Sequence, residues 1–163
     1  MVDSNGLGTT DYQALAEFRY QIRRFLRFSE EAARQAGLEP QHYQLMLAIK
    51  GASEIAGPRI ADLAERLQIQ HHSAVELVNR LVNRSLIRKT RGNKDRREVQ
   101  VNLTPQGERI LKQLALHHRE ELRTLAPALV SALKKVMATT RSGRKTPGKK
   151  RARPARTERR DSR

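Results

Sequence analysis

The chain has 163 residues, a length that suits one domain. Lysine and arginine number 33 against 17 aspartates and glutamates, a formal net charge of +16, and a field of that sign favours nucleic acid or an anionic membrane surface. No cysteine is present, which excludes disulfides, thiolate catalysis and cysteine-based redox sensing.

The charge is unevenly spread. Residues 1–138 hold 22 basic and 15 acidic groups, and residues 139–163 hold 11 and 2, so the part expected to fold is itself basic. No stretch approaches the roughly 18 consecutive apolar residues of a membrane span. The opening MVDSNGLGTT lacks the basic and apolar regions of a secretion signal. An intracellular protein is expected.

Residues 1–9 are polar and glycine-rich. Thr10-Asp11-Tyr12-Gln13 has the form of a capping box, and a long helix follows to about Ala36, stopped by Gly37. It holds Tyr12, Leu15, Phe18, Ile22, Phe25, Leu26 and Phe28, including every phenylalanine of the chain. That set is wider than one packed neighbour needs. It fits either an ordinary core helix or a helix shared between two subunits. Pro40 suits a first helical position, and a helix is predicted from there to Lys50, ended by Gly51. Gly57-Pro58 then breaks the chain.

From Arg59 to Leu103 the pattern reads as helix, tight turn, second helix and a two-stranded hairpin. Ile60, Leu63, Ala64 and Leu67 form one apolar stripe. Gln68-Ile69-Gln70 is a short polar break. In the second helix, read as His72–Arg84, Ala74, Val75, Val78, Leu81 and Val82 share one side. His72, Ser73, Glu76, Arg80, Asn83 and Arg84 point the other way and offer the donors and acceptors that read base edges. After Ser85 the period becomes alternating: Leu86–Lys89 reads as one strand, and Val99, Val101 and Leu103 mark its partner. The intervening Arg91-Gly92-Asn93-Lys94-Asp95-Arg96-Arg97 supplies turn residues and a basic tip. Residues 59–97 together hold 10 basic and 4 acidic groups.

Thr104 is a predicted N-cap with Pro105 at the first helical position. The helix from there is expected to end near Leu125, with Pro127 opening a last short helix through Leu129, Val130, Leu133 and Val136. Residues 139–163 lack apolar periodicity and are expected to be a disordered basic tail, either inert or a non-specific DNA-contacting arm.

Asp95, Arg97, Leu103, Thr104 and Gly107 follow the wing-to-helix pattern of the MarR (multiple antibiotic resistance regulator) family, and residues 10–137 resemble that family as a whole. The resemblance implies a mainly α fold with a small β-hairpin wing, a winged helix-turn-helix that dimerises through its N- and C-terminal helices. Residues 1–138 would form the domain, with 10–37 and 104–137 as dimerisation helices and 38–103 as the DNA-binding lobe. The start of the second helix, Gln70-His71-His72-Ser73, departs from the Ser or Thr that many relatives place there.

The implied function is sequence-specific transcriptional regulation, as a repressor responsive to a small-molecule effector, with double-stranded DNA and a second copy of the chain as partners and the bacterial nucleoid as its cytoplasmic location. His71, His72, Ser73, Glu76, Arg80, Asn83 and Arg84 would meet the operator from the helix, and Arg91, Lys94, Asp95, Arg96 and Arg97 from the wing. Arg97 would enter the minor groove, and the resemblance implies that Asp95 orients an arginine there. Arg19, Arg23, Tyr43 and Met46 are the candidate effector cleft. The rival reading is a sequence-indifferent DNA compactor.

No enzyme constellation stands out: there is no phosphate loop, nucleophile elbow or carboxylate pair. The adjacent histidines His71-His72 and His117-His118 diverge by about 100° on a helix. His118 with Glu120 or Glu121 is the one surface cluster the sequence suggests. Neither metal nor cofactor is expected.

Overall fold

The computed structural model describes residues 7–52, 57–91 and 99–142. Five helices and one hairpin run in the order α1 (Thr9–Gln35), α2 (Pro40–Gly51), α3 (Ile60–Leu67), α4 (His71–Asn83), β1 (Ile87–Arg91), β2 (Val99–Leu103) and α5 (Pro105–Ser142). α2, α3, α4 and the hairpin form a lobe, and α1 and α5 pack on each other as two long arms. The largest fully buried side chains, among them Leu38, Leu45, Met46, Ile49, Leu63, Leu81 and Val101, belong to the lobe. The arms contribute mainly small or single-faced positions such as Ala14, Ala32, Leu111, Leu114 and Ala132.

The helix-turn-helix is closed without glycine. Gln68 and Ser85 adopt left-handed φ angles of 54° and 57°. Each ends its helix with a bond from the following amide five residues back, Ile69 N–H to the Ala64 carbonyl and Leu86 N–H to the Leu81 carbonyl. Ile69 packs against the core from inside the turn. The hairpin pairs Ile87 with Leu103 and Arg91 with Val99 in antiparallel register. Arg59 adds an isolated bridge to Gln100, and the Val101 amide donates to the Pro58 carbonyl at 3.0 Å, so the chain entering α3 lies against the free edge of β2.

α5 is pinned where it starts. Thr104 Oγ1 accepts the Gly107 amide at 3.1 Å and donates to the Ser85 carbonyl at 2.7 Å, while the Thr104 amide reaches the Leu86 carbonyl at 3.0 Å. Gly107 sits so close to that Leu86 carbonyl that a Cβ would collide with backbone.

Five expectations need correction. α5 does not end near Leu125: it continues through Pro127 as one helix of 38 residues, about 57 Å long at 1.5 Å per residue. Proline removes one hydrogen bond and crowds the carbonyl four residues back, but Leu125 and Ala132, on either side of it, stay buried, and packing along α1 carries the helix through. The first cap falls two residues earlier than predicted, with the Gly8 amide donating to Asp11 Oδ2 at 2.8 Å. The second helix of the turn motif spans His71–Asn83, and the first strand Ile87–Arg91. α5 also runs on to Ser142, into the first residues of the basic stretch; residues 143–163 lie outside the described residues.

Replacing Gly107 by alanine should force Leu86 and the first turn of α5 apart. We expect a loss of about 1–3 kcal/mol, read as a lower urea midpoint with an unchanged slope.

Candidate nucleic-acid interface

α4 buries Ala74, Leu77, Val78 and Leu81 against the lobe. With 3.6 residues per turn, that leaves His72, Glu76, Asn79, Arg80 and Asn83 on the outward face, all exposed, with Ser73 half-buried beside them. His71 is exposed at the first turn, and among the described residues no side chain caps that end of the helix. The exposed Arg88, Lys89 and Arg91 of β1 continue the basic surface. Gly92, Asn93, Lys94, Asp95, Arg96 and Arg97, the predicted wing tip, lie outside the described residues.

The charges on this face are held loosely. Arg80 lies 3.7 Å from Glu76, with both side chains about two-thirds exposed, and exposed pairs of this kind contribute little. Lys89 Nζ donates to Asn79 Oδ1 at 2.6 Å, tying the wing strand to the helix. Asn79 was missed in the sequence because it falls next to the apolar side in the helical pattern. Arg84 is the exception among the predicted contacts: its guanidinium donates to the Gly37 carbonyl at 2.7 Å.

Two histidines lie behind the face. His42, in the first turn of α2, is buried and accepts the Glu39 amide on Nδ1 at 3.4 Å. Nδ1 is therefore unprotonated in the neutral ring, and Nε2 carries the hydrogen with no partner among the described groups. Burial, then the neighbouring Arg84, hold its pKa below the ordinary 6.5; Glu39 opposes them and Arg80 adds to the lowering.

His118 is not part of a surface cluster, as the sequence suggested, but buried. Tyr43 stacks on its ring at 4.5 Å, and Phe25 and Phe28 meet it edge-on. Its Nδ1 bonds the Leu114 carbonyl at 2.7 Å and its Nε2 bonds Ser29 Oγ at 2.8 Å. Among the described residues no group of three or more His, Asp or Glu is placed to hold a metal.

The four candidate effector residues separate. Tyr43 and Met46 lie in the lobe's core, and Arg19 and Arg23 are exposed on α1. Arg23 lines a shallow cavity of about 460 Å³ with Tyr20, Arg24 and Leu26.

A helix held outward by a buried opposite face, a basic hairpin at its side and two long flanking helices define a winged helix-turn-helix protein. Residues 36–98 match the sequence model of the MarR family. The chain is 26% identical over 72 residues to an uncharacterized HTH-type transcriptional regulator, YsmB, of Bacillus subtilis (strain 168), a match covering 44% of this chain and 49% of that protein. The matched part thus spans about half the length of that curated relative. Solved structures share the fold. A mutant of S. aureus MepR bound to an oligodeoxyribonucleotide superposes with a TM-score of 0.58 at 18% identity, over 80% of this chain and 93% of that one. Bordetella bronchiseptica BpsR, described with regulation of its DNA binding by 6-hydroxynicotinic acid, gives 0.58 at 18% identity, over 79% and 98%. Among the described residues no helix is long and apolar enough to cross a membrane.

The lowered pKa of His42 has a consequence for stability. The native ring takes up a proton less readily than the unfolded chain does. Its contribution is therefore complete above pH 6.5 and is lost as the pH falls below that value toward the lowered native pKa. The melting temperature should drop on going from about pH 7.5 to about pH 5.5, and His42→Gln, which cannot titrate, should remove part of that drop. An identical pH dependence in the two proteins would show that His42 titrates as it does in the unfolded chain.

Proposed function

We propose that this chain is a transcriptional regulator that binds a pseudo-palindromic operator as a homodimer, each copy laying α4 in a major groove. The observation that carries the reading is the outward face of α4, where Ser73, Glu76, Arg80 and Asn83 project from a helix whose other side is locked into the core. B-DNA's major groove admits a helix of this width, and arginine and asparagine are suited to bidentate contacts with guanine and adenine. Arg80 and Glu76 are the principal base-reading candidates, joined by His72, Ser73 and Asn83. His71 and the uncapped first turn of α4 favour phosphate oxygens. Arg91, Lys94, Asp95, Arg96 and Arg97 are the proposed contacts with the flanking minor groove and its phosphates. The DNA-bound MepR neighbour supports this docking.

The second copy is argued from the arms. Tyr12, Leu15, Tyr20 and Leu26 on α1, and Leu116, Leu122, Val130, Leu133 and Met137 on α5, are apolar and exposed. An apolar surface of that extent marks an interaction site, and two-fold pairing of the arms places the two α4 helices on one side of a duplex. A dimer bound across a promoter excludes polymerase, which makes the regulator a repressor. The BpsR neighbour supports control by a small effector that alters the spacing of the two lobes. The basic residues beyond 142 add phosphate neutralisation, which carries no sequence information.

Selection from a random duplex library tests the reading. We expect a pseudo-palindrome to be enriched, and Arg80→Ala to relax preference at one position per half-site at a loss of about 1–3 kcal/mol. Uniform recovery of all sequences would instead support a DNA-compacting protein. In sedimentation equilibrium at micromolar concentration the chain should run as a dimer, and Leu133→Glu should shift it toward monomer while its helical circular dichroism persists.

A further inference from the structure

We propose that Arg84 is a positioning residue for DNA recognition, strapping the C-terminal end of α4 to the elbow between α1 and α2. The inference rests on α4 being the recognition helix. Arg84 immediately follows the last residue of α4, and its Nη2 lies 2.7 Å from the carbonyl oxygen of Gly37, 47 residues away in sequence.

The acceptor is a fixed point. Gly37 has a φ of 72°, which glycine adopts without strain. Its amide donates to the Arg34 carbonyl at 2.9 Å, and the Leu38 amide donates to the Ala33 carbonyl at 2.9 Å. The end of α1 is thus wrapped closed around this residue. The next side chain, Leu38, is 2% exposed and anchors the elbow in the core. A charged donor on a carbonyl oxygen is among the stronger hydrogen bonds.

Both partners belong to elements that matter for recognition. α1 is an arm of the proposed dimer, and α4 carries the base-reading face. Packing of Ala74, Leu77, Val78 and Leu81 sets how deep α4 sits, and the turn at Gln68 fixes its N-terminal end. The strap fixes the other end relative to the arm. When the arm shifts, the far end of α4 shifts with it, so the angle at which each helix enters its groove follows the geometry of the dimer. A phosphate contact, the role the sequence suggests for Arg84, would require the guanidinium to leave this carbonyl.

Two substitutions separate the roles. Arg84→Met keeps a long stem and loses charge and donor; Arg84→Lys keeps the charge and a donor on a stem long enough to approach the carbonyl. Each is compared with the wild-type chain by hydrogen exchange of the amides of residues 81–86 in the free protein. Binding is then measured to the selected operator, to that operator with one base pair added between half-sites, and to random duplex, at two salt concentrations.

For the strap, Arg84→Met should speed exchange in the free protein and weaken operator binding about tenfold, one net hydrogen bond's worth. It should narrow the difference between the two operator spacings and leave the salt slope on random duplex unchanged, and Arg84→Lys should restore most of the loss. A salt slope lowered by about 0.9, the value of one phosphate, with exchange unaltered, would make Arg84 a phosphate contact and overturn the proposal. Wild-type exchange and wild-type binding in Arg84→Met would overturn it as well. If the selection yields no operator, that result counts against the regulator reading, and the exchange of the free protein then decides the strap by itself.

Discussion

The carbonyl of Leu86 is where the lobe and the arm are joined, and the rest of the architecture depends on that joint. One backbone oxygen receives the Thr104 amide and lies in contact with Gly107, while the Leu86 side chain is sunk in the core and its amide closes the end of α4. Four elements therefore meet at one peptide: α4 before it, β1 after it, β2 delivering Thr104, and α5 beginning at Pro105. An added atom at residue 107 cannot be absorbed by a rotamer change, because the opposing group is backbone. This close approach gives α5 a defined direction as it leaves the lobe, and over some 57 Å of helix a small angular error at its base would become a large displacement at its tip.

The division of apolar surface follows from this construction. The lobe largely satisfies itself: apart from Leu47 and Val99, which are exposed, its described leucines, isoleucines and valines are buried or half-buried against one another. The arms do not. Two long helices packed side by side hide one stripe each, and the rows from Tyr12 to Leu26 and from Leu116 to Met137 are left in contact with solvent. Their side chains are of the same kind as those of the core, and burying a leucine or valine contributes about 1.5–3 kcal/mol. An isolated chain forgoes a part of that at the six leucines and valines exposed on the arms, each already more than half covered. The charged residues among them, such as the Arg119–Glu120–Arg123 group of α5, keep this exposed surface from being uniformly apolar.

How far the sequence could be read depended on whether each feature was local. The stripe of Ile60, Leu63, Ala64 and Leu67, the alternation that buries Val101 and Leu103, and the Thr104-Pro105 cap are set by neighbours a few residues apart, and the structure has them in place, while Val99 of the same alternation is exposed. Pro127 misled because the local rule for proline is correct but small beside the packing of Leu125 and Ala132 on the other arm. Gln68 and Ser85 gave no sign of their left-handed backbone, since nothing in either residue type announces it; closure of the turn onto the Ala64 and Leu81 carbonyls imposes it. His118 looked like a surface residue because its neighbours in sequence are charged, whereas its partners Tyr43, Phe25 and Ser29 come from elsewhere in the chain. For the candidate DNA face, which residues point outward was legible from helical period alone. Which of them are already engaged was not, because the partners of Arg84 and Asn79 lie in Gly37 and Lys89, outside the helix.

That last distinction bears on how α4 would recognise DNA under the function proposed above. Contacts on the outward face of α4 fall into two groups by strength. The Arg80–Glu76 pair is long and exposed, so breaking it to meet a base costs little, and both groups stay near their working positions while they wait. The Lys89–Asn79 and Arg84–Gly37 bonds are short and link α4 to separate parts of the fold. On the proposed reading, side chains that would change partner on binding DNA are held weakly, and those that would set the angle of the helix are tied to other parts of the fold. A helix fixed at its buried face, its leading turn and its trailing end loses little orientational freedom when it enters a groove, so more of the interaction energy of its outward side chains remains for discriminating one sequence from another.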